Sequence, residues 1–179
     1  MPPPPPVLAI AAALAQAALT KGAQRPRVSR AAVALSIAAA SGALAGSAAG
    51  QFRRRGTTVE PLHPSLTTVL VTSGANSVSR NPMYVGLVGL LVANSVRRGS
   101  WKALLPVAAF IVLIDRFQIA AEESALSSKF GPDYEAYRAA VPRWLGPGSV
   151  VSRQLRRQCG LQASNIVLAF SRFERTSRE

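Results

Sequence analysis

Most acidic side chains of this 179-residue chain lie in one short stretch, where they could hold a ligand. Five of the eight Asp and Glu residues fall between positions 115 and 135. Within that stretch, Asp115, Gln118 and Glu122 are spaced i, i+3 and i+7, which predicts that they share one face of a helix. Charges that continue from an apolar helix need water or a ligand, so a carboxylate here could bind a cationic or polyhydroxyl group. The alternative is a solvated extension of the helix.

The dipeptide Asn81-Pro82 marks a second candidate site at the start of a helix. The residue before a proline is disfavoured in the helical conformation, whereas proline itself suits the first helical position. The sequence therefore predicts that Asn81 caps a helix whose first turn contains Pro82. The free backbone N–H groups of such a turn can bind an anionic or polar group. The alternative is an ordinary helix cap.

An aromatic segment follows the acidic stretch. Gly131 is predicted to end one helix, and Pro132 to begin the next. Tyr134 and Tyr137 are i, i+3 neighbours, so they fall on one face of that second helix. They lie beside the acidic stretch either as part of a site or as an aromatic anchor at a membrane interface.

The composition excludes several kinds of chemistry. Cys159 is the only cysteine, so the chain has no internal disulfide framework. With His63 it supplies the only soft metal ligands, which argues against a zinc site. A Ser-His-Asp triad would depend on His63 as its only candidate base. We therefore predict chemistry that needs neither a metal nor a pair of histidines.

Four uncharged apolar runs dominate the first two thirds of the chain, at residues 7–20, 31–50, 83–96 and 101–114. The run 31–50 has about the ~20 residues that a helix needs to cross a bilayer. The last two runs are joined only by Arg97-Arg98-Gly99-Ser100. They are predicted to form a helical hairpin, with Trp101 at the membrane interface. The alternative for each run is a core helix of a soluble bundle.

The first 59 residues contain seven basic residues and no acidic one. This composition also fits an organelle transit peptide, but the uncharged run favours a membrane segment. Residues 2–6 are all proline and are predicted to be extended. Basic residues flank the run 31–50 on both sides, so charge does not decide its orientation. We expect apolar helices in residues 1–50, a core in residues 51–145 and a weakly ordered basic tail in residues 146–179.

Taken together, these motifs resemble the membrane-embedded isoprenylcysteine carboxyl methyltransferase and phospholipid methyltransferase family. Its pattern is a Gly, Arg-His-Pro-x-Tyr-x-Gly, a helical hairpin, Glu-Glu-x-x-Leu, Phe-Gly-x-x-Tyr-x-x-Tyr and Val-Pro. The matching segments are Gly74 and residues 80–86, 122–126, 130–137 and 141–142. The order and spacing of these motifs carry the resemblance, which covers about residues 52–144.

The resemblance implies that S-adenosylmethionine is the methyl donor and binds in a pocket of the C-terminal half. The positions that match the cofactor contacts of relatives are Thr68, Val69, Leu70, Val71, Asn81, Pro82, Met83, Tyr84 and Glu122. In this scheme, Glu122 holds the ribose hydroxyls or the amino group of the cofactor. The start of the helix at Pro82 faces its carboxylate.

Two positions depart from the family pattern. Asn81 stands where the family has His, and an Asn side chain cannot titrate near neutral pH. Gln118 stands where carboxyl-methylating relatives have an Arg that recognises the substrate carboxylate. The nearest basic residue is Arg116, which is predicted to lie on a different face of the helix. Gln118 and Arg116 are therefore the candidate substrate-binding residues.

These features predict an all-α, multi-pass integral membrane helical bundle with a C-terminal helical hairpin and a cofactor pocket. In a eukaryote we expect it in the endoplasmic reticulum or an organelle membrane. The predicted reaction moves a methyl group from S-adenosylmethionine to a lipid-linked acceptor, first of all a C-terminal isoprenylcysteine carboxylate. The alternatives are a phospholipid amine acceptor and a non-catalytic membrane relative. The predicted partners are the lipid bilayer and a prenylated or lipid acceptor, and no nucleic acid.

Overall fold

Helices make up the regular structure of the computed structural model, which describes residues 3–22, 26–54 and 70–146. In chain order the α-helices are α1 (Pro5–Leu19), α2 (Val28–Arg54), α3 (Pro82–Arg98), α4 (Leu104–Leu113), α5 (Ala120–Phe130) and α6 (Pro132–Ala140). Short 3₁₀ turns lie at Gly74–Ser77 and Trp101–Ala103, and a π-helical turn at Ile114–Ile119 joins α4 to α5. The described ranges contain no β-strand, which confirms the predicted all-α class.

The predicted hairpin is confirmed. Helix α3 ends at Gly99, whose φ of 64° is a left-handed conformation that suits glycine. The Gly99 N–H donates to the carbonyls of Ser95 (3.0 Å) and Val96 (3.1 Å), so it satisfies the last turn of α3. The chain then continues as one helical segment over Trp101–Phe130. The second arm of the hairpin is therefore much longer than its apolar run, because the acidic stretch extends the same helix.

Small residues allow α2 and α3 to approach closely. A Cβ atom added at Gly86 would lie 2.7 Å from the Ala45 Cβ and 2.8 Å from the Ser41 carbonyl oxygen. Gly89 also lies against the Ser41 side chain. Close packing of this kind through small residues is typical of helices in membranes. Of the small residues on α2, Ser41 and Ala45 make the contact, whereas Gly42 lies in open space.

A buried polar side chain ties α1 to the hairpin. The Gln16 amide is fully buried, and its Nε2 donates to the carbonyls of Leu91 (2.9 Å) and Ala103 (3.0 Å) and to the hydroxyl of Ser95 (2.8 Å). Its Oε1 accepts from Nδ2 of Asn94 at 2.6 Å. Because an unpaired amide in such a place is costly, these bonds specify how α1 docks onto α3 and the start of α4.

The apolar core lies between the two arms of the hairpin and α1. Its buried members are Tyr84, Leu91, Val107, Phe110, Ile114 and Ile119. Side chains of α1, among them Leu8 and Ala12, pack on its edge. Through Ile114 and Ile119, this core fixes the π turn, and with it the start of α5, relative to Tyr84 at the start of α3.

Among the residues that the structure describes, two helices are long and apolar enough to cross a membrane, Val28–Gln51 and Trp101–Phe130. In the most apolar part of Val28–Gln51, only 11 % of the residues are buried inside the described bundle. In the most apolar part of Trp101–Phe130 the buried share is 39 %. A core helix of a soluble protein would be mostly buried. The exposed apolar surface therefore fits a membrane bundle better than a soluble one.

One local expectation is wrong in part. The extended conformation predicted for residues 2–6 is confirmed at Pro4 (φ −56°, ψ 140°), but α1 begins at Pro5 and includes Pro6. Proline is tolerated in the first turn of a helix because the N–H that it lacks has no intrahelical partner there. Residues 147–179, which include nearly all of the expected basic tail, lie outside the described residues.

Candidate functional site

A polar cluster lies at the open end of the hairpin, where α3 begins and α5 begins. The Tyr84 hydroxyl donates to Oε1 of Glu122 at 2.5 Å. The Gln118 amide Nε2 donates to the same oxygen at 2.8 Å. Tyr84 and Gln118 are both buried. The structure therefore brings together three residues that the sequence had placed in the cofactor and substrate sites.

Both of these hydrogen bonds reach Oε1 of Glu122. Within the described ranges, no hydrogen bond reaches Oε2. A carboxylate that is oriented through one oxygen presents the other to a ligand, and it accepts well from hydroxyl or ammonium donors. The geometry of Glu122 thus suits the role that the sequence predicts for it.

A second carboxylate, Glu123, has a different set of partners. Arg143 donates to it through both ends of its guanidinium, Nε to Oε1 at 3.1 Å and Nη2 to Oε2 at 2.5 Å. Arg80 also pairs with Glu123, at 2.8 Å. The side chain of Glu123 is 11 % exposed and that of Arg80 is 9 % exposed. Glu123 is therefore the centre of a partly buried ion-pair network.

Asp115 completes this network. Nη1 of Arg143 lies 3.2 Å from both carboxylate oxygens of Asp115. The indole Nε1 of Trp144 donates to Asp115 at 2.9 Å. Arg143 thus bridges two acidic residues of one long helix to the segment after α6. Its hydrogen bond to Glu123 raises the pKa of Arg143 further above its ordinary value, so the guanidinium stays charged.

The π turn explains why Asp115 does not join Gln118 and Glu122, as the i, i+3, i+7 spacing had predicted. Asp115 and Glu123 are eight residues apart, which on a regular α-helix leaves their side chains roughly 80° apart. A π turn accommodates one extra residue in a turn. Eight residues that include Ile114–Ile119 then behave as about seven. Asp115 and Glu123 therefore face the same partner, Arg143.

Helix α6 supports this end of the bundle with its two tyrosines. Tyr134 and Tyr137 are both buried, with ring centroids 6.2 Å apart. The Tyr137 hydroxyl donates to the Asn76 carbonyl oxygen at 2.7 Å. Nη1 of Arg80 donates to the Tyr134 hydroxyl at 3.2 Å, and burial raises the pKa of Tyr134, with the Glu123 carboxylate adding to the increase. The pair is part of the packed site and not an exposed interfacial anchor.

The start of α3 is held by the segment that follows α6. Asn81 is the N-cap residue and Pro82 begins the helix, as predicted. The Asn81 side chain, however, does not cap the helix backbone. Its Nδ2 donates to the Arg143 carbonyl oxygen at 3.1 Å. Ser79 donates to the same carbonyl at 3.0 Å. The position at which the family has His thus links α3 to residues 142–144.

The remaining predicted site residues differ in burial, and two of them lie outside the described residues. Leu70 packs against the tyrosines of α6, and Val71 is buried. Met83 is half-buried on the first turn of α3. Thr68 and Val69 lie outside the described residues. Arg116 is exposed and does not accompany Gln118, which is buried.

Several polar residues at this end were not among the predicted cofactor-binding or substrate-binding residues. Besides Asp115 and Glu123, these are Asn76, Arg80, Arg143 and Trp144. The signal in the sequence was the segment 141–144, which places an Arg and a Trp directly after a helix with two tyrosines. Because the acidic stretch was treated as a regular α-helix, its spacing did not predict that Asp115 and Glu123 share one partner.

Two buried donors near the start of α3 have no hydrogen-bond partner among the described residues. They are Nδ2 of Asn76 and Nε of Arg80. Buried polar atoms are normally paired, so orphaned donors indicate a water or a ligand. An open groove of about 350 Å³ lies at the ion-pair network, since Glu123 and Arg143 line it together with the serines of α5. It contains none of the predicted cofactor residues.

Comparison with known proteins assigns the chain to a family. The family model described as phospholipid methyltransferase matches residues 29–133, from the first turn of α2 to the start of α6. An uncharacterized protein of Haemophilus influenzae (strain ATCC 51907 / DSM 11121 / KW20 / Rd) is 46 % identical over 63 residues, which are 35 % of this chain and 100 % of that protein. No solved structure matches the chain. Because the family match covers more than half of its 179 residues, the chain belongs to the phospholipid methyltransferase family, a family of membrane methyltransferases.

Proposed function

We propose that this protein transfers the methyl group of S-adenosylmethionine to the amino group of a membrane phospholipid. The observation that carries the proposal is the Glu122 carboxylate, held by Tyr84 and Gln118 at the open end of the hairpin. It lies within the region that the family model matches. The neighbouring guanidinium groups of Arg80 and Arg143 already bind Glu123.

The described residues fit the proposed cofactor. Oε2 of Glu122 can accept from its hydroxyl or amino groups. The orphaned donors of Asn76 and Arg80 supply hydrogen bonds to an acceptor such as a carboxylate. When bound, S-adenosylmethionine would supply a methyl group, which a nucleophile takes in one direct displacement with the thioether sulfur as leaving group. Such a displacement depends on positioning more than on acid–base groups, which agrees with a titratable His being absent at Asn81.

The charge at the site favours an amine acceptor over a carboxylate. A substrate carboxylate needs a guanidinium or ammonium partner, since charge-assisted bonds are about twice as strong as neutral ones. Arg143 and Arg80 pair with Glu123, and Arg116 is exposed. A lipid amine would attack the methyl carbon as the neutral base; the N–C bond forms while the C–S bond breaks, S-adenosylhomocysteine leaves, and the nitrogen becomes positively charged. A preorganised carboxylate stabilises that charge, and the product then releases a proton to water.

The helix that leads to the site has an exposed apolar surface that suits a lipid chain. Val112, Leu113 and Phe117 are exposed on the helix that leads to Gln118, at 57 %, 42 % and 62 %. Exposed side chains of this size on a membrane helix face acyl chains. A phospholipid can therefore approach along this helix with its headgroup near Glu122.

The first test compares two methyl acceptors in matched micelles, phosphatidylethanolamine and a farnesylcysteine analogue. We expect the purified protein to transfer labelled methyl groups from S-adenosylmethionine to the amine lipid. The variant Gln118→Arg should lower this rate, because the added cation repels an ammonium group. The control variant Ser128→Arg adds the same charge at an exposed position of α5 and should leave the rate unchanged.

Methylation of the farnesylcysteine carboxylate alone, with a rate that Gln118→Arg keeps or raises, would replace the amine by the carboxylate as acceptor.

A second test measures binding of S-adenosylhomocysteine by calorimetry. Glu122→Gln should weaken it by about 1–3 kcal/mol, whereas Glu135→Gln, an exposed carboxylate on α6, should not. If the wild-type protein shows no saturable binding, it is a non-catalytic member of the family.

A further inference from the structure

Basic residues from two distant segments meet at the closed end of the hairpin. Nη1 of Arg98 donates to the Thr20 hydroxyl at 2.9 Å, which brings the end of α1 to the end of α3. The Arg30 guanidinium lies against Gly99, so the start of α2 joins the same end. We call Lys21, Arg27, Arg30, Arg97, Arg98 and Lys102 the turn-end cationic cluster.

Within the described ranges no acidic residue precedes Asp115, so none lies on the segments that form this cluster. The sequence has no Asp or Glu before Glu60, and the next acidic residue is Asp115. Four of the six cations, Lys21, Arg27, Arg97 and Lys102, are exposed. Nε of Arg98 is buried and lacks a hydrogen-bond partner within the described ranges. The cluster is thus a concentrated positive surface with at least one donor that needs an acceptor.

Exposed apolar side chains border the cluster. Trp101 is 69 % exposed in the turn itself, and Leu104 and Leu105 follow it at 48 % and 53 %. A Trp beside Lys and Arg, next to lipid-facing Leu side chains, is the arrangement found at the headgroup level of a bilayer. Acyl chains and headgroups of the same leaflet can therefore contact neighbouring residues of this turn.

We infer that the turn-end cationic cluster is a binding surface for anionic phospholipid headgroups. The phosphate and the net negative charge of such a lipid complement the exposed cations, while its chains cover Leu104 and Leu105. This proposal rests on the membrane location of the protein and not on methyl transfer. A competing explanation is that Arg97 and Arg98 serve only the negative end of the α3 dipole.

The test measures which lipids contact Trp101 in the full-length protein. It is reconstituted in bilayers that contain brominated phosphatidylglycerol or brominated phosphatidylcholine, and bromine quenches nearby tryptophan fluorescence. The chain has two tryptophans, so the signal that Trp101→Phe removes belongs to Trp101. We expect the relative association constant to favour the anionic lipid, and the preference to decrease with salt.

The double variant Arg27→Gln/Lys102→Gln removes two exposed cations of the cluster. Each cation near an anionic surface contributes about fivefold in affinity, so the preference should fall at least fivefold. The control Lys129→Gln/Arg138→Gln removes two exposed cations at the other end and should change the preference less than twofold. Thermal unfolding in detergent verifies that both variants fold.

Equal quenching by the two lipids in the wild-type protein would overturn the proposal, as would an equal effect of the control pair. A preference that survives Arg27→Gln/Lys102→Gln would also overturn it, because the exposed cations of the cluster would then not bind the headgroup. Because the readout is lipid contact, a preference without methyl transfer refutes only the proposed function. Methyl transfer without the preference refutes only this inference.

Discussion

The ion-pair network around Arg143 gives a quantitative test of how the site is held together. We consider the variant Arg143→Gln. It removes a guanidinium that contacts both oxygens of Glu123 and both oxygens of Asp115. It leaves the backbone carbonyl of residue 143 in place to accept from Ser79 and Asn81. The change therefore isolates the charged contacts from the backbone ones.

The expected loss follows from burial. Hydrogen bonds to charged groups contribute about 1.5–3 kcal/mol each, and Arg143 makes such bonds to two carboxylates. The Arg143 side chain is 32 % exposed and that of Asp115 is 25 % exposed, so solvent screens part of this energy. Arg80 still pairs with Glu123 in the variant. We therefore expect a loss of about 2–3 kcal/mol in the free energy of unfolding.

The assay is reversible denaturant unfolding in micelles, followed by the near-ultraviolet circular dichroism of Trp144, which hydrogen-bonds to Asp115. Arg138→Gln is the matched control. It breaks an i, i+3 pair with Glu135 at 3.6 Å, in which both side chains are 51 % exposed. Such a surface pair contributes about 0–1 kcal/mol. Arg143→Lys keeps the charge but loses the bidentate contact with Glu123, so its loss in the free energy of unfolding should be intermediate.

A double-mutant cycle with Glu123→Gln separates the pair from its surroundings. If Arg143 and Glu123 act together, the two single losses should exceed the loss of the double variant by about 1–2 kcal/mol. The reasoning would be refuted if Arg143→Gln behaved like Arg138→Gln. A coupling energy close to zero would refute it as well.

Three further predictions concern the membrane and the packing. The protein should stay in the membrane pellet after alkaline carbonate extraction, and full release would contradict the membrane bundle. Gly86→Leu should separate α2 from α3, since even a Cβ would meet Ala45 at 2.7 Å; overpacking of this kind costs about 1–3 kcal/mol, and the control Gly46→Leu, in open space, should lose less. Gln16→Leu should lower the unfolding midpoint, because the carbonyls of Leu91 and Ala103 lose a donor; an unchanged midpoint would show that this amide does not dock α1.

Local patterns in the sequence were enough to predict the helices and their breaks. The hairpin joined at Gly99, the helix start at Pro82 and the break at Gly131 all have the predicted positions. Each depends on the dihedral preference of a glycine or proline and on a run of apolar neighbours. These interactions act within a few residues, so the sequence alone predicts where the helices begin and end.

The contact of Tyr84 with Glu122 could not be predicted from local patterns alone. The two residues are 38 positions apart and belong to different arms of the hairpin. Their place in one cofactor site was expected from the family motifs, which were also what predicted a methyltransferase. The family match over residues 29–133 confirms that family and extends it to α2, which lies upstream of the motifs themselves.

Only the tertiary structure decided which charges meet. The π turn of Ile114–Ile119 moves Asp115 away from Gln118 and onto Arg143, and a one-residue change of helical register leaves no clear mark in the sequence. The basic clusters on either side of the α1–α2 connection and of the hairpin turn looked unrelated along the chain. Packing of α1 through Gln16 brings them to one end. Charge pairing over such separations depends on how helices dock, and docking is set by the packed side chains of several elements at once.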